Sequence, residues 1–126
     1  MLHQFRFQAT LPASDLGRAR KFYEQQLGFP PGVEEQAGIY YQSARGSRFL
    51  LFASQGTPSG EHTQGGWTVD DIQAEVAALR QRGVVFEEYD FPGLKTVDGI
   101  AQTDTGQYAW FKDSEGNLLG IVQPAE

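Results

Sequence analysis

The sequence predicts a single-domain α+β protein built from two copies of one strand–helix–strands unit. Its 126 residues fit one compact domain. Each half begins with an alternating segment, continues with an amphipathic helix that stops at a glycine, and ends in strand patterns. Matched positions also recur, because Gln8 lies seven residues before Asp15 and Gln64 lies seven residues before Asp71. Shared spacing over this many features favours a duplication over chance.

The first half opens with residues 2–10, which alternate apolar and polar side chains as a half-buried strand does. Pro12 is expected to end this strand, and Ser14 or Asp15 to cap the helix that follows. Apolar residues then recur at helical spacing until Gly28, which suits a left-handed helix end. Three further strands are predicted, at residues 33–36, 38–43 and 48–54, the last two forming a hairpin.

The second half repeats this order after a turn-rich segment at residues 55–63, which reads as a linker. We therefore expect a first module at about 1–54 and a second at about 64–126. Asp70 or Asp71 is expected to cap the second helix, which Gly83 ends. The remaining predictions are strands at 64–69 and 84–88, an irregular stretch at 89–106 with a short strand near Ile100, and a hairpin of residues 108–112 and 118–123.

Composition and charge exclude several classes of partner. The net charge is −6, the pI is about 4.8, and the ten Lys and Arg residues are scattered. Nucleic acid and anionic membranes are therefore not expected as partners. No apolar stretch reaches the ~20 residues of a membrane span. There is no cysteine, which excludes disulfides and thiolate chemistry, so a soluble cytoplasmic protein is expected.

Two motifs carry a resemblance to a known family. Residues 14–23 read SDLGRARKFY and lead to LGF at 27–29, and residues 110–117 read WFKDSEGN. In this order and spacing the chain resembles the vicinal oxygen chelate superfamily, of the glyoxalase, bleomycin resistance protein and dioxygenase type. The resemblance implies two βαβββ modules that form an open curved-sheet barrel. Enzymes of this family hold one divalent metal there, so the fold alone does not give the function.

The resemblance places the family's metal ligands at Gln8, Leu50, Gln64 and Gly120, where Leu50 could shift to Leu51 with the same result. Two amides, a leucine and a glycine do not offer the His or carboxylate donors that a divalent cation needs. No metal or other cofactor is therefore expected, and a divalent metal remains the less favoured alternative.

The remaining candidates for chemistry are few. His62 shares strand parity with Gln64, whereas His3 has parity opposite to Gln8, and solvent exposure is the commoner state for both. No catalytic residue is assigned, because no nucleophile–base pair or phosphate loop is visible.

Strand parity predicts which side chains would line a pocket. Apolar walls with a few polar anchors are typical of small-molecule sites. Aromatic residues at strand spacing could instead fill the barrel core. The expected ligand-binding residues are Gln8, Tyr40, Leu50, Gln64, Thr68, Tyr108, Trp110 and Gly120.

Two further features bear on this pocket. Arg6 and Arg48 would suit an anionic ligand at its mouth, although exposed strand ends explain them equally well. Residues 90–99, with Phe91 and Leu94, could form a lid or could pack on a second subunit.

Three hypotheses about function follow. The first is a metal-free protein that binds a small organic ligand, as bleomycin resistance proteins do. The second is a metal-dependent lyase, isomerase or dioxygenase with an atypical site. The third is a non-catalytic interaction domain. The resemblance also implies a homodimer and leaves open whether the modules pair within one chain or across the dimer.

Overall fold

The computed structural model describes all 126 residues, and its first half forms a four-stranded sheet with one helix. The strands are β1 (Ala9–Ala13), β2 (Val33–Glu35), β3 (Gly38–Gln42) and β4 (Arg48–Ala53). They are arranged in the order β1-β4-β3-β2, in which β1 runs parallel to β4 and the other pairs are antiparallel. The strand–helix–strands order expected from the sequence is therefore present.

The first strand is shorter and later than predicted. Residues 2–8 are not a strand: Leu2–Gln4 form a single 3₁₀ turn, and the side chains of Leu2 and Phe7 are 85% and 93% exposed. The pairing of β1 with β4 begins at Ala9 opposite Phe49, so earlier residues run past the end of β4 and find no partner. Pro12 lies inside β1 rather than ending it, which an edge strand tolerates because one side of its backbone needs no donor.

The helix of the first half is α1 (Leu16–Lys21), continued by a π-helical turn at Phe22–Gln26. Asp15 caps it, since its carboxylate accepts a hydrogen bond from the Arg18 backbone N–H at 3.0 Å. Gly28 has a φ of +79°, the left-handed conformation predicted at this position. The wide turn lets both Phe22 and Tyr23 reach the core.

The second half forms a six-stranded sheet in the order β5-β10-β9-β8-β7-β6. Its helix, α2 (Ile72–Gln81), is capped by Asp71, and Gly83 follows it with a φ of +91°. Its strands are β5 (Gly65–Thr68), β6 (Asp90–Phe91), β7 (Leu94–Val97), β8 (Ile100–Thr103), β9 (Gly106–Lys112) and β10 (Leu118–Pro124).

Two predictions for this half are wrong. Residues 84–88 are not a strand, because they contribute only a single bridge between Phe86 and Phe111. Residues 89–106, expected to be irregular apart from a short strand near Ile100, contain that strand as β8 (Ile100–Thr103) and also β6 and β7, which extend the sheet further from β9. Short turns at glycines join these strands, so the glycines of this segment lie in turns of the sheet.

The core joins the two halves through the helix-bearing sides of both sheets. One continuous cluster contains Phe49 and Leu51 of the first sheet together with Phe111 and Leu119 of the second. Trp67 on β5 bridges them, with its ring 6.2 Å from that of Phe49 and 6.3 Å from that of Phe111. The alternate side chains of each strand consequently point away from this core. No helix is both long enough and apolar enough to cross a membrane.

Candidate functional site

A concavity lies on the face of the second sheet that is turned away from the core. Strand pairing places Gly120 opposite Trp110 on one side and Gly66 on the other. The cavity has a volume of about 430 Å³, and its lining includes Thr63, Thr68 and Tyr108 as well as these three residues. Four of the eight predicted site residues therefore meet in one place, namely Thr68, Tyr108, Trp110 and Gly120.

Two glycines form the floor of this concavity, for different reasons. A Cβ atom added to Gly66 would collide with the backbone carbonyl of Gly120, so Gly66 allows β5 and β10 to approach each other. A Cβ added to Gly120 would instead meet side chains, at 3.3 Å from Thr63 and 3.5 Å from Trp110. Of the two glycines, only Gly120 leaves space open above the sheet.

Tyr108 and Trp110, which line the concavity, belong to a ladder of aromatic rings that extends beyond it. Tyr108 and Trp110 stack with centroids 6.1 Å apart and planes 10° apart. Tyr89 meets Trp110 edge-on at 5.4 Å, and Phe91 meets Tyr89 at 5.8 Å. Burial raises the pKa of Tyr89 above its ordinary value, so its hydroxyl remains protonated at neutral pH.

The sequence did not single out Tyr89, because this residue begins the stretch 89–106 that was expected to be irregular, so strand parity assigned its side chain to no face. The hydroxyl of Tyr108 lies 2.6 Å from that of Thr105, which holds the outer ring of the ladder in place. The wall is therefore an ordered apolar surface with phenolic groups at its edges, the kind of surface on which planar molecules stack.

The predicted residues of the first half lie elsewhere. Tyr40 and Leu50 face each other across β3 and β4, and Leu50 is 8% exposed. Arg48 places its guanidinium 4.1 Å from the centre of the Tyr40 ring. Gln8 is half-buried just before β1. None of these residues lines the concavity beside Trp110, because the two sheets pack through their opposite faces.

Gln64 is engaged in a buried hydrogen-bond network. Its side-chain amide donates to Asn117 Oδ1 at 3.0 Å, and the Asn117 amide donates to the Pro12 carbonyl and to Asp113 Oδ2. Asp113 also accepts the hydroxyl of Tyr23 at 2.6 Å. Desolvation, followed by the charge of Asp113, raises the pKa of Tyr23 well above its ordinary value. Gln64 thus ties the start of β5 to the contact between the two halves.

The two motifs behind the family resemblance also meet at this contact. Glu115, in the β9–β10 turn, accepts hydrogen bonds from the Arg18 guanidinium at 2.7 Å and 3.0 Å. The same carboxylate accepts the backbone N–H of Asp15 at 3.0 Å. The hydrogen bond and charge of Arg18 hold the pKa of Glu115 at about 2, although burial opposes that shift. The motifs therefore join the halves and do not form a reactive centre.

The residues at the family's metal positions do not fit a divalent cation. Leu50 and Gly120 offer no donor side chain, and Gln8 and Gln64 offer only neutral amide oxygens. No three His, Cys, Asp or Glu side chains lie together in an arrangement that could hold a metal. His3 and His62 are both exposed, and His62 lies 3.3 Å from the Ser59 hydroxyl.

The fold and the concavity define an α+β protein of two similar strand–helix–strands halves with an aromatic-walled surface on one sheet. The family model for the Glyoxalase/Bleomycin resistance protein/Dioxygenase superfamily matches residues 6–121. The chain belongs to this superfamily, as the resemblance implied. A comparison with curated proteins gave no match.

Solved structures agree with this assignment. TnmS3, an antibiotic binding protein from Streptomyces sp. CB03234, is 26% identical with a TM-score of 0.68, covering 96% of this chain and 98% of its own. A glyoxalase/bleomycin resistance protein from Albidiferax ferrireducens T118 is 20% identical, with a TM-score of 0.68 and coverage of 94% and 97%. A bleomycin-binding protein complexed with bleomycin is 22% identical, with a TM-score of 0.69 and coverage of 96% and 99%. The last two likenesses concern the fold alone.

Proposed function

We propose that this protein binds a planar aromatic small molecule on the Trp110 face of the second sheet, without a metal and without turnover. The observation that carries this proposal is the concavity of about 430 Å³ walled by Tyr108 and Trp110 and left open by Gly120. Stacked rings recognise flat ligands through apolar contact, and the nearby hydroxyls supply a few directional hydrogen bonds. The likeness to TnmS3, an antibiotic binding protein, supports a small-molecule ligand.

A homodimer is part of the proposal. In one chain β1 is hydrogen-bonded only to β4, and β5 only to β10, so both strands leave an edge unpaired. The Tyr40 and Leu50 face and the Trp110 face are also turned away from the shared core. A second copy that set the first-half face of one chain over the second-half face of the other would bring Tyr40 and Leu50 toward the Trp110 concavity of its partner. Light scattering of the purified protein measures this directly, with twice the chain mass as the expected result.

The ligand proposal is tested with N-phenyl-1-naphthylamine, an uncharged aromatic probe whose fluorescence rises in apolar surroundings. We expect micromolar binding to the protein and a loss of about tenfold or more in Trp110→Ala, since an aromatic contact is worth roughly 0.5–1.5 kcal/mol in addition to its buried apolar area. Phe7→Ala is the matched control, because Phe7 is 93% exposed and outside the cavity. Equal binding by the protein and by Trp110→Ala would mean that the site is misplaced.

Metal content is measured on the same protein after exposure to Mn, Fe, Ni and Zn. Little retained metal is expected from the donor set at the four family positions. Near-stoichiometric retention would contradict the metal-free proposal and favour the enzyme hypothesis, with His62 as the first residue to replace.

A further inference from the structure

We propose that Arg48 forms an anion-binding subsite beside the aromatic concavity, so that the preferred ligand is an aromatic molecule carrying a carboxylate, sulfonate or phosphate group. This inference rests on the proposed function, because it names the chemical class of ligand for the same site. It is carried by the surroundings of Arg48, by a second cavity, and by the way that the two cavities adjoin.

Arg48 is a half-buried cation without an acidic partner. The chain has 16 acidic and 10 basic residues, and its salt bridges involve Arg18, Arg20 and Lys112 but not Arg48. Arg20 is the other half-buried arginine, and its guanidinium lies 2.9 Å from Glu24. Partial burial of a charge is unfavourable unless an opposite charge accompanies it. In a protein with an excess of carboxylates, the missing partner of Arg48 points to an anion supplied by the ligand.

The position of the Arg48 side chain is defined by Tyr40. The guanidinium lies 4.1 Å from the centre of the ring, which orients the planar fork by cation–π attraction. A ring face satisfies the charge in part and forms no hydrogen bonds with the guanidinium N–H groups. Those donors remain available to an oxyanion, which a guanidinium binds through two parallel hydrogen bonds.

A second cavity of about 140 Å³ lies beside this arginine, between β1 and β5. Its polar lining is Arg48 with the hydroxyl residues Ser43 and Ser47, and its floor is apolar. The remaining lining residues are Ala9, Leu11, Phe49, Gly65, Gly66, Trp67 and Leu119. The Ser43 hydroxyl has no hydrogen-bond partner within the chain, whereas the Ser47 hydroxyl donates to the Ala44 carbonyl. The outer edge of β5 is also unpaired. A guanidinium, a free hydroxyl and strand-edge N–H groups are the donors that an oxyanion requires.

The two cavities adjoin along β5. Gly65, Gly66 and Trp67 line both of them, so the aromatic concavity and the Arg48 cavity lie on either side of this strand. Two consecutive glycines leave no side chain between the cavities at this point. A ligand whose rings lie against Trp110 can therefore extend a charged substituent past β5 to Arg48.

A matched pair of probes tests this inference. 1-Anilinonaphthalene-8-sulfonate and N-phenyl-1-naphthylamine share one ring system, and only the first carries a sulfonate. We expect Arg48→Gln to weaken binding of the sulfonate about tenfold or more, since hydrogen bonds to charged groups are worth roughly 1.5–3 kcal/mol. The same variant should change binding of the uncharged probe by less than about twofold. Arg45→Gln is the control, because Arg45 is an exposed arginine of the same hairpin that lines neither cavity.

Each outcome separates this inference from the proposed function. Equal weakening of both probes by Arg48→Gln, or of the sulfonate by Arg45→Gln, would overturn the subsite and leave the aromatic site standing. Arg48→Lys, which keeps the charge, should retain part of the sulfonate affinity, and this affinity should fall as salt is added. If both probes bind Trp110→Ala as well as the unchanged protein, or if neither binds the unchanged protein, the proposed function fails and this inference fails with it.

Discussion

Replacing Glu115 with glutamine should destabilise the protein by loosening the contact between its two halves. The Glu115 side chain is 1% exposed and accepts two hydrogen bonds from the Arg18 guanidinium. It also accepts one from the Asp15 backbone N–H and one from the Ser114 hydroxyl. Glutamine keeps the shape of the side chain and removes its charge. The amide nitrogen of the glutamine is itself a donor and cannot accept a hydrogen bond from Arg18, Asp15 or Ser114. At least one hydrogen bond is therefore lost.

The magnitude follows from the pKa of the carboxyl group. In the folded protein this pKa is about 2, against an ordinary value of 4.5. A difference of about 2.5 units at 1.36 kcal/mol per unit gives roughly 3 kcal/mol as an upper bound on the stabilisation by the charged form. Arg18 is 52% exposed, so solvent screens the pair. We therefore expect the free energy of unfolding to fall by about 2 kcal/mol at pH 7 in Glu115→Gln.

The pH dependence has a defined sign. Because folding lowers the pKa of Glu115, its contribution is complete above the unfolded pKa of 4.5 and is lost as the pH falls through 4.5 toward 2. The unchanged protein and Glu115→Gln should thus differ by a constant amount from neutral pH down to about pH 5.5. Their stabilities should converge as the pH approaches 2.

Urea unfolding at several pH values, followed by tryptophan fluorescence and circular dichroism, measures this difference. Glu34→Gln is the control, because Glu34 is 72% exposed and lies 3.6 Å from the Arg20 guanidinium. That exposed pair should contribute less than about 1 kcal/mol. A difference between the protein and Glu115→Gln that stays the same from pH 7 to pH 2.5 would refute the role given to the charge.

Three further substitutions test the packing of the halves and of the sheet. Tyr23→Phe removes the hydroxyl that donates to buried Asp113 at 2.6 Å, so the free energy of unfolding in urea should fall by about 1–3 kcal/mol; an unchanged value would show that Asp113 finds another donor at no cost. Gly66→Ala places a Cβ against the Gly120 carbonyl and should lower stability by about 1–3 kcal/mol, whereas Gly120→Ala meets only side chains and should cost less. The reverse ranking of these two glycines would contradict the close approach of β5 and β10.

Local patterns in the sequence predict much of the fold. Asp15 and Asp71 cap their helices as predicted, and Gly28 and Gly83 take the left-handed conformation expected after helices. The family assignment and the two-sheet α+β architecture are likewise confirmed. These features depend on backbone geometry and on residues a few positions apart, which is why short windows of sequence reveal them.

The errors arise where pairing partners decide the structure. Residues 2–8 have a strand pattern, yet β4 ends its pairing at Ala9 and leaves them without a neighbour. Residues 84–88 also have a strand pattern, but they form only a single β-bridge, between Phe86 and Phe111. The strands β6 and β7, unlike the predicted β8, were missed because they are short and lie between glycine turns. Strand formation needs a partner at the right place, and this information is not local.

The same distinction between local pattern and packing applies to the candidate site. Alternation along a strand was sufficient to put Tyr108 and Trp110 on one face with Gly120, because that depends only on parity and on the hairpin register. It could not tell that the sheets pack through their helix-bearing sides, which leaves Gln8, Tyr40 and Leu50 outside the Trp110 concavity of a single chain. It also could not foresee that Gln64 would be bound to Asn117.

The positions that make the family recognisable are also the ones that say least about its chemistry. Five motif residues form hydrogen bonds to one another or to nearby backbone across the contact between the halves. They are Arg18, Tyr23, Asp113, Glu115 and Asn117. Any member of the family that packs its halves in this way can use the same residues, whatever its ligand. Under the proposed function, recognition of a ligand depends on Trp110 and Tyr108, of which only Trp110 belongs to a motif, and on the unpaired guanidinium of Arg48. Substitutions at these three positions should change what the protein binds and leave its fold intact.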